Sequence, residues 1–124
     1  MSSPTRDRGA VDTSVQMLFG GLALLLTMLL VFEASAFWHA RNVFDDAAAE
    51  GARVAAAFDG TCPEGVKAAR AVIAAHAGRW SDHVVVTCTS GATVTVTVAG
   101  GTPGVMGPHL GLRARVVESA PKES

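Results

Sequence analysis

The chain has 124 residues, a formal net charge of −1 and a hydrophobic fraction of 49%. This length allows one small domain, and the near-zero charge offers no broad basic surface, so binding to nucleic acid is not expected.

The first predicted element is a transmembrane helix over residues 13–37. The preceding residues 1–12 are polar and are expected to form a cytoplasmic segment that is disordered up to about Val11. From Thr13 to Phe32 no residue is charged. At ~1.5 Å rise per residue this run is roughly 30 Å long, which matches the hydrocarbon core of a bilayer.

The apolar run has two other interpretations. A buried core helix is disfavoured because so short a chain could not cover it on all sides. A cleaved signal peptide is the stronger alternative, because Arg6 and Arg8 make a basic start and residues 34–36 have the small-x-small form of a cleavage site. The run is longer than the usual ~7–15 apolar residues of such a peptide, and its helical pattern continues through Glu33, so a retained anchor is favoured.

The two cysteines indicate the orientation. Cys62 and Cys88 both follow the span, and an even pair of cysteines in a small domain suits an oxidising exterior. We therefore predict a single-pass protein of the cell membrane, with a cytoplasmic N-terminus and an extracytoplasmic head over residues 38–118.

Two features of the span could serve contacts with other helices. Gly20, Thr27 and Ala34 recur every seven residues and leave a shallow stripe for close packing, although small residues are common in such helices in any case. Glu33 places a carboxylate at the edge of the span, which is costly. Its side chain is expected either to reach the outer interface or to pair with a neighbouring subunit.

The helix is predicted to continue without a break to about Phe58. Apolar residues recur at helical spacing and predict a buried face, formed by Val43, Ala47, Gly51, Val54 and Phe58. Glu50 and Arg53 are three residues apart and can form an ion pair. The two parts together make one helix of roughly 45 residues, lipid-facing at first and amphipathic afterwards.

A second helix is predicted from Thr61 to about Ala77. Gly60 ends the first helix, and Thr61 with Glu64 forms a capping-box pattern around an early proline. Gly78 closes the helix, whose apolar face is Val66, Ala69, Ile73 and Ala77.

The hydrophobic period then changes from 3.6 to 2 and predicts three strands. The first two contain the alternating residues of 83–88 and 93–98, and the third begins at Leu110. A two-residue turn at 90–91 would put the valines on opposite faces. We therefore favour a three-residue loop, 90–92, that places Cys88 opposite Val94. Residues 119–124 are polar and are expected to form a flexible tail.

The lengths of these elements predict a disulfide between Cys62 and Cys88. A helix of roughly 23 Å followed by a returning strand of about 17–20 Å brings both cysteines to the same end of the domain. Two free thiols are the alternative. A metal site with His76 or His83 is disfavoured because those residues would lie at the opposite end.

No arrangement of residues indicates catalysis. The four histidines are scattered, and the glycine-rich connection over residues 100–109 lies between two strands rather than before a helix, so it lacks the context of a phosphate-binding loop. The protein is therefore not expected to be an enzyme or to need a cofactor, a metal or a small-molecule substrate.

Several short motifs resemble the TadE/TadG-like family of bacterial pilus-assembly proteins. The resemblance covers residues 8 to about 57, and it is carried by Arg8-Gly9, Glu33, Arg41-Asn42, Ala48-Ala49 and Glu50-Gly51-Ala52-Arg53. It implies a pseudopilin-like protein, with one membrane-anchored helix and a small pilin-like α+β head. Such a protein acts as a minor subunit or assembly factor of Tad (Flp-type) pili. The implied partners are the membrane and other pilin-like or Tad subunits, and further copies of this chain are among the candidates.

The resemblance also implies a processing site. Prepilin peptidase would cut after Gly9 and leave a new amine on Ala10, which the carboxylate of Asp12 could neutralise. In the family pattern the acidic residue is a glutamate a few residues further on, whereas here it is Asp12.

The leading functional hypothesis is thus a structural or assembly component of a Tad-like apparatus, with Gly20, Thr27, Glu33, Ala34, Glu50, Gly51 and Arg53 serving helix packing and assembly. The alternative is a membrane-tethered or secreted binding module that uses the 100–109 connection and the sheet as its contact surface.

Overall fold

The computed structural model of the protein describes residues 4–104 and 112–124. It contains two α-helices, a short 3-10 helix and one three-stranded antiparallel sheet of order β1-β2-β3. This arrangement confirms the predicted α+β fold class. The elements are α1 (Pro4–Ala56), α2 (Cys62–Ala77), the 3-10 helix (Gly78–His83), β1 (Val85–Thr89), β2 (Thr93–Gly101) and β3 (Arg113–Pro121).

Helix α1 begins earlier than the sequence predicted. It starts at Pro4 and runs for 53 residues, or about 80 Å at ~1.5 Å per residue. The expectation of disorder up to Val11 is therefore wrong from Pro4 onwards, and residues 1–3 lie outside the described residues. Proline is well tolerated in a first helical turn, so Pro4 can stand at the start of the helix.

The end of α1 is held by the C-terminal tail. The ammonium of Lys122 donates hydrogen bonds to three carbonyl oxygens in the last turn of α1 and the turn that follows it. They are those of Ala55, Ala57 and Gly60, at 3.0, 2.6 and 2.7 Å. The N–H of Glu123 donates to the carbonyl of Ala56 at 2.9 Å. The expectation that the tail frays from Ser119 is therefore wrong, because β3 continues through Pro121 and the next two residues bond to α1.

The ends of α2 are partly as predicted. Thr61 occupies the N-cap position with an extended backbone, but its side chain makes no capping hydrogen bond, so the predicted capping box does not form. The Thr61 carbonyl instead accepts a bond from the Gly65 N–H at 3.0 Å. Gly78 ends the helix with φ of 58°, a conformation that favours glycine, as its position predicted.

The hairpin between β1 and β2 has a different register from the predicted one. Cys88 lies opposite Val96, and the last paired residues are Thr89 and Thr95. The three-residue loop that would place Cys88 opposite Val94 is therefore wrong by two residues. A shift of two keeps each side chain on its predicted face, so the core valines are still correctly assigned. The third strand begins at Arg113; Leu110, where we expected it to begin, lies outside the described residues.

The core lies between one face of the sheet and the upper half of α1, which is the part of the helix after Glu33. The part before Glu33 is the lower half. Val94, Val96 and Val98 of β2 are completely buried, as is Phe44 of α1, whose ring lies 5.6 Å from that of Trp80. Helix α2 covers the side of the core next to β1 and contributes the buried residues Gly65, Ala69, Ile73 and Ala77.

The buried face of α1 differs at its upper end from the predicted one. Val43, Ala47 and Gly51 are buried as expected, but Val54 is half-buried and Phe58 is 73% exposed. The reason is that α1 ends at Ala56, so Phe58 lies in the following turn and no longer follows the helical period.

Among the residues that the structure describes, none outside α1 packs against the lower half of this helix. From Gly9 to Met28 every residue is exposed, including ten large apolar side chains. This part of α1 is long and apolar enough to cross a membrane. The structure therefore fits a single-pass membrane protein.

Candidate functional site

The Glu50-Gly51-Ala52-Arg53 segment lies where α1 crosses α2. An ideal Cβ on Gly51 would lie 2.9 Å from the Gly65 carbonyl oxygen, and one on Gly65 would lie 2.6 Å from the Gly51 carbonyl oxygen. Both distances are shorter than a normal carbon–oxygen contact, so the two backbones approach closely enough to require glycine on each side. Ala52, beside them, is 2% exposed.

The charged residues of the same segment point away from this crossing. The Arg53 guanidinium donates two hydrogen bonds to the Glu50 carboxylate, at 2.9 and 2.7 Å. The hydrogen bond from Arg53 holds the pKa of Glu50 below its ordinary value, and the same bond raises the pKa of Arg53. The Arg53 side chain is 72% exposed, so the pair adds little to the stability of the fold.

The four residues therefore divide into two groups. Gly51 and Ala52 pack inside this chain, which explains why small residues stand there. Glu50 and Arg53 lie on the surface, where another subunit could reach them. Their predicted role in assembly stays a prediction.

Glu33 contacts the head of its own chain. An ideal Cβ on Gly104, at the start of the β2–β3 connection, would lie 2.8 Å from Glu33 Oε1 and 2.9 Å from its Cδ. The Glu33 side chain is half-buried there. Neither expectation for this carboxylate included a partner within the chain. The contact shows that the head reaches down to Glu33, the residue that directly follows the apolar run.

The stripe of small residues lies on the uncovered part of α1. A Cβ on Gly20 would meet no atom within 4 Å outside its own helix, and the Thr27 hydroxyl donates to the Ala23 carbonyl at 2.8 Å. The Thr27 side chain thus satisfies its polar group within the helix. Ala34 is also exposed, and packing of another helix along the stripe stays a prediction.

The predicted processing site lies within the helix. Gly9, Ala10 and Asp12 all belong to α1, and the carbonyls of Gly9 and Ala10 accept hydrogen bonds from the hydroxyls of Thr13 and Ser14, at 2.9 and 3.0 Å. A peptidase that binds an extended segment would first have to unwind this turn. Cleavage after Gly9 stays a prediction.

The disulfide joins the first residue of α2 to β1 and confirms the predicted pairing. The Cys62 and Cys88 sulfurs are 2.02 Å apart, and their Cα atoms are separated by 5.6 Å. Within residues 4–104 and 112–124, no three histidine, cysteine or carboxylate side chains form a group that could hold a metal.

A groove of about 460 Å³ between α1 and β3 was not predicted from the sequence. Asp45 and Glu118 line it, and a hydrogen bond with Asp45 raises the pKa of Glu118 above its ordinary value. The two carboxyl groups therefore face each other across the helix–strand interface. Arg41 and Trp38 lie at the same groove, with the guanidinium carbon 6.0 Å from the ring centroid.

The comparisons with known proteins place the resemblance on α1. It covers the apolar run and most of the part of α1 that packs against the head. Residues 13–53 match the family model described as TadE-like protein. The match ends at Arg53, three residues before α1 does, and it confirms the TadE-like resemblance of this segment. Arg8-Gly9 lies outside it, as do α2 and the sheet. No curated protein and no solved structure matches the chain.

Three residues that contact α1 or the turn at its end were missed at the sequence level. Gly65 carried a usable signal, because a glycine inside a helix is costly and often marks a close packing contact. Gly104 is one of several glycines in its connection and does not stand out. Lys122 lies in a short polar tail, where nothing in the pattern indicates a partner.

Proposed function

We propose that this protein is a membrane-anchored, pseudopilin-like minor subunit or assembly factor of a Tad/Flp-type pilus or a related secretion apparatus. One observation carries the proposal. The TadE-like match begins in the apolar span and ends in the helix that supports the head, so it follows the continuous helix rather than either part alone.

The continuous helix suggests how such a subunit would work. No proline interrupts α1 between the span and the head, and the head packs along α1 from about Glu33 to Ala56. A lateral or axial shift of the span would therefore move the head as one body. The exposed stripe of Gly20, Thr27 and Ala34 would contact other helices in the membrane, and the exposed Glu50–Arg53 pair would contact neighbouring heads.

The proposed action is by contact and not by catalysis. We place the N-terminus in the cytoplasm and the head outside, because the Cys62–Cys88 disulfide suits an oxidising compartment. The proposed partners are other pilin-like or Tad subunits, and further copies of this chain are among the candidates.

Deletion and complementation in the native host test the proposal. Loss of the gene is expected to abolish surface filaments or the associated secretion, and the wild-type gene is expected to restore them. Gly20→Leu, which blocks close approach at the stripe, is expected to fail to complement. Gly21→Leu is the matched control, since a Cβ at either glycine meets nothing within 4 Å in the chain. Unchanged filaments and secretion in the deletion strain would count against the proposal.

The mature N-terminus, read by mass spectrometry, separates the possible forms of the protein. A start at Met1 or Ser2 indicates an uncut anchor, and a start at Ala10 indicates a processed pseudopilin. A start at Phe37, with the protein found in the medium, would instead support the alternative of a secreted binding module.

A further inference from the structure

Strand β3 runs alongside α1 and in the same direction. Asp45 and Glu118 of β3 line the same groove, and Lys122, just after β3, bonds to the Ala55 carbonyl near the top of α1. Following β3 backwards from Glu118 therefore leads down α1, towards the end of the apolar run.

A strand length and a residue contact each indicate how far down α1 the head reaches. Leu112 precedes Glu118 by six residues, or about 20 Å of strand at ~3.3 Å per residue. The same length corresponds to about 13 helical residues below Asp45, which is the level of Phe32. The contact between Gly104 and Glu33 gives the same level from the other end of the connection.

Side chains that suit a membrane interface lie between this level and about 14 Å above it along α1. Leu112 is 54% exposed and Trp38 is 59% exposed. Arg113, Arg115 and Arg41 are exposed beside them. An apolar and an aromatic side chain together with arginines suit the boundary between acyl chains and headgroups, where the arginines can bind lipid phosphates.

We propose that these five residues form a lower rim of the head that rests on the lipid headgroups of the same membrane that α1 crosses. Leu112 and Trp38 would insert at the interface, and the three arginines would contact anionic phosphates. The inference rests on the proposed function only in requiring that α1 spans the membrane. It adds a second, peripheral contact that holds the head upright on the bilayer.

The opposite end of the head supplies an internal reference. Ala56 lies 23 residues above Glu33 on the same helix, or roughly 35 Å further from the membrane. The hairpin residue Ala92 is at this distant end, because its carbonyl accepts a hydrogen bond from the N–H of Lys122, which also caps α1. Ala92 is exposed and should not meet lipid.

Fluorescence quenching in lipid nanodiscs tests the rim on the full-length chain. Leu112→Cys and Ala92→Cys variants are labelled with an environment-sensitive dye, while the native cysteines stay protected in their disulfide. The quencher is a spin-labelled lipid whose nitroxide lies at headgroup level. We expect several-fold stronger quenching at position 112 than at position 92. Equal quenching at both positions would overturn the proposal.

Charge variants test the part played by lipid phosphates. Arg113→Gln with Arg115→Gln should reduce quenching at position 112 in anionic nanodiscs. Lys67→Gln with Arg70→Gln is the matched control, since it removes the same charge from the exposed side of α2 and should change nothing. An equal loss of quenching in both double variants would contradict a specific role for the rim arginines.

A third label separates failure of this inference from failure of the proposed function. A dye at Leu25→Cys should be quenched by a nitroxide deep in the acyl chains. Quenching at position 25 without quenching at position 112 overturns the rim and leaves the anchor intact. Absence of quenching at both positions overturns the membrane anchor and the rim together.

Discussion

The lower and upper halves of α1 belong to one helix, yet they use opposite kinds of residues. Below Glu33 the large apolar side chains are exposed, for example Leu18 and Leu30 at 70% each. Above it the completely buried residues are mostly small, among them Ala40, Ala47 and Ala48 at 0%. The more hydrophobic half is thus the less buried one.

The difference follows from the two solvents that the helix would meet. In a bilayer, lipid acyl chains are as apolar as leucine, so moving a leucine from lipid to a contact with another leucine lowers the free energy little. Large apolar side chains can therefore remain on the surface of the helix. In water, apolar surface has to be covered, and the alanine and glycine face of upper α1 lets α2 and the sheet approach closely enough to cover it. Hydrophobicity alone therefore does not identify the core of this molecule.

Removing the disulfide should have the largest effect on the upper half alone. The bond closes a loop with a sequence separation of 26. The double variant Cys62→Ser/Cys88→Ser should therefore lower the free energy of unfolding of the head by on the order of 3 kcal/mol. Tryptophan fluorescence during denaturation in micelles measures the head, since Trp80 packs on Phe44. If the span lost its helicity at the denaturant concentration that unfolds the head, the two halves of α1 would not unfold independently.

Adding a methyl group at the helix crossing should have the next largest effect. In Gly65→Ala the new Cβ would lie 2.6 Å from the Gly51 carbonyl oxygen and 2.7 Å from the Ala55 Cβ. The helices would have to move apart, at an expected cost of about 2 to 3 kcal/mol of head stability. The control is Gly21→Ala in the lower half, where a Cβ meets nothing within 4 Å. Similar denaturation midpoints for both variants would contradict the close approach of the two helix backbones at Gly51 and Gly65.

Removing the lysine that caps α1 should have a smaller effect. Lys122→Met keeps most of the side-chain length but leaves the carbonyls of Ala55, Ala57 and Gly60 without their donor. We expect a loss of about 1.5 to 2 kcal/mol, since hydrogen bonds from a charged group are stronger than neutral ones. Lys67→Met, on the exposed side of α2, is the control for loss of a charge, and an equal effect in both variants would rule out the cap.

The smallest predicted effect is a pH dependence at the α1–β3 interface. Folding raises the pKa of Glu118 above 4.5, chiefly through its hydrogen bond with Asp45. The folded state therefore binds this proton more tightly than the unfolded chain does. Its contribution to stability is fully present below about pH 4.5 and is lost as the pH rises through the folded pKa.

Two isosteric variants isolate this contribution. At neutral pH, Glu118→Gln or Asp45→Asn should each stabilise the head by less than about 1 kcal/mol, because either one removes the repulsion between two carboxylates. The double variant should add little to either single one. Denaturation curves at several pH values measure the effect, and additive single effects would show that the two groups do not interact.

The sequence predicted most of the fold because its periodicity is strong. The change from period 3.6 to period 2 located both helices and the strands, and the lengths of α2 and β1 were enough to predict the Cys62–Cys88 bond. The hairpin register was wrong because both loop lengths considered were too short. The last pair joins Thr89 to Thr95 and leaves five residues between them, while β2 already begins at Thr93 to pair with β3.

The contacts that locate the head on α1 could not be predicted. The Gly104–Glu33 contact and the Lys122 cap join residues more than sixty positions apart, and each involves a residue type that is common in loops and tails. Phe58 matched the helical period but lies past the end of α1. No residue next to it indicates that the helix ends at Ala56 rather than one turn later. The Gly51–Gly65 crossing could have been anticipated, because glycine is unfavourable inside both helices.

Chemical accessibility along α1 tests most directly whether one helix passes from lipid to a packed head. Leu25→Cys and Asp46→Cys each place a thiol at a position that is exposed within the chain, one in each half. In opened native membranes, a membrane-impermeant maleimide should modify position 46 rapidly and position 25 hardly at all until detergent is added. Equally rapid modification of both positions before detergent would contradict the account.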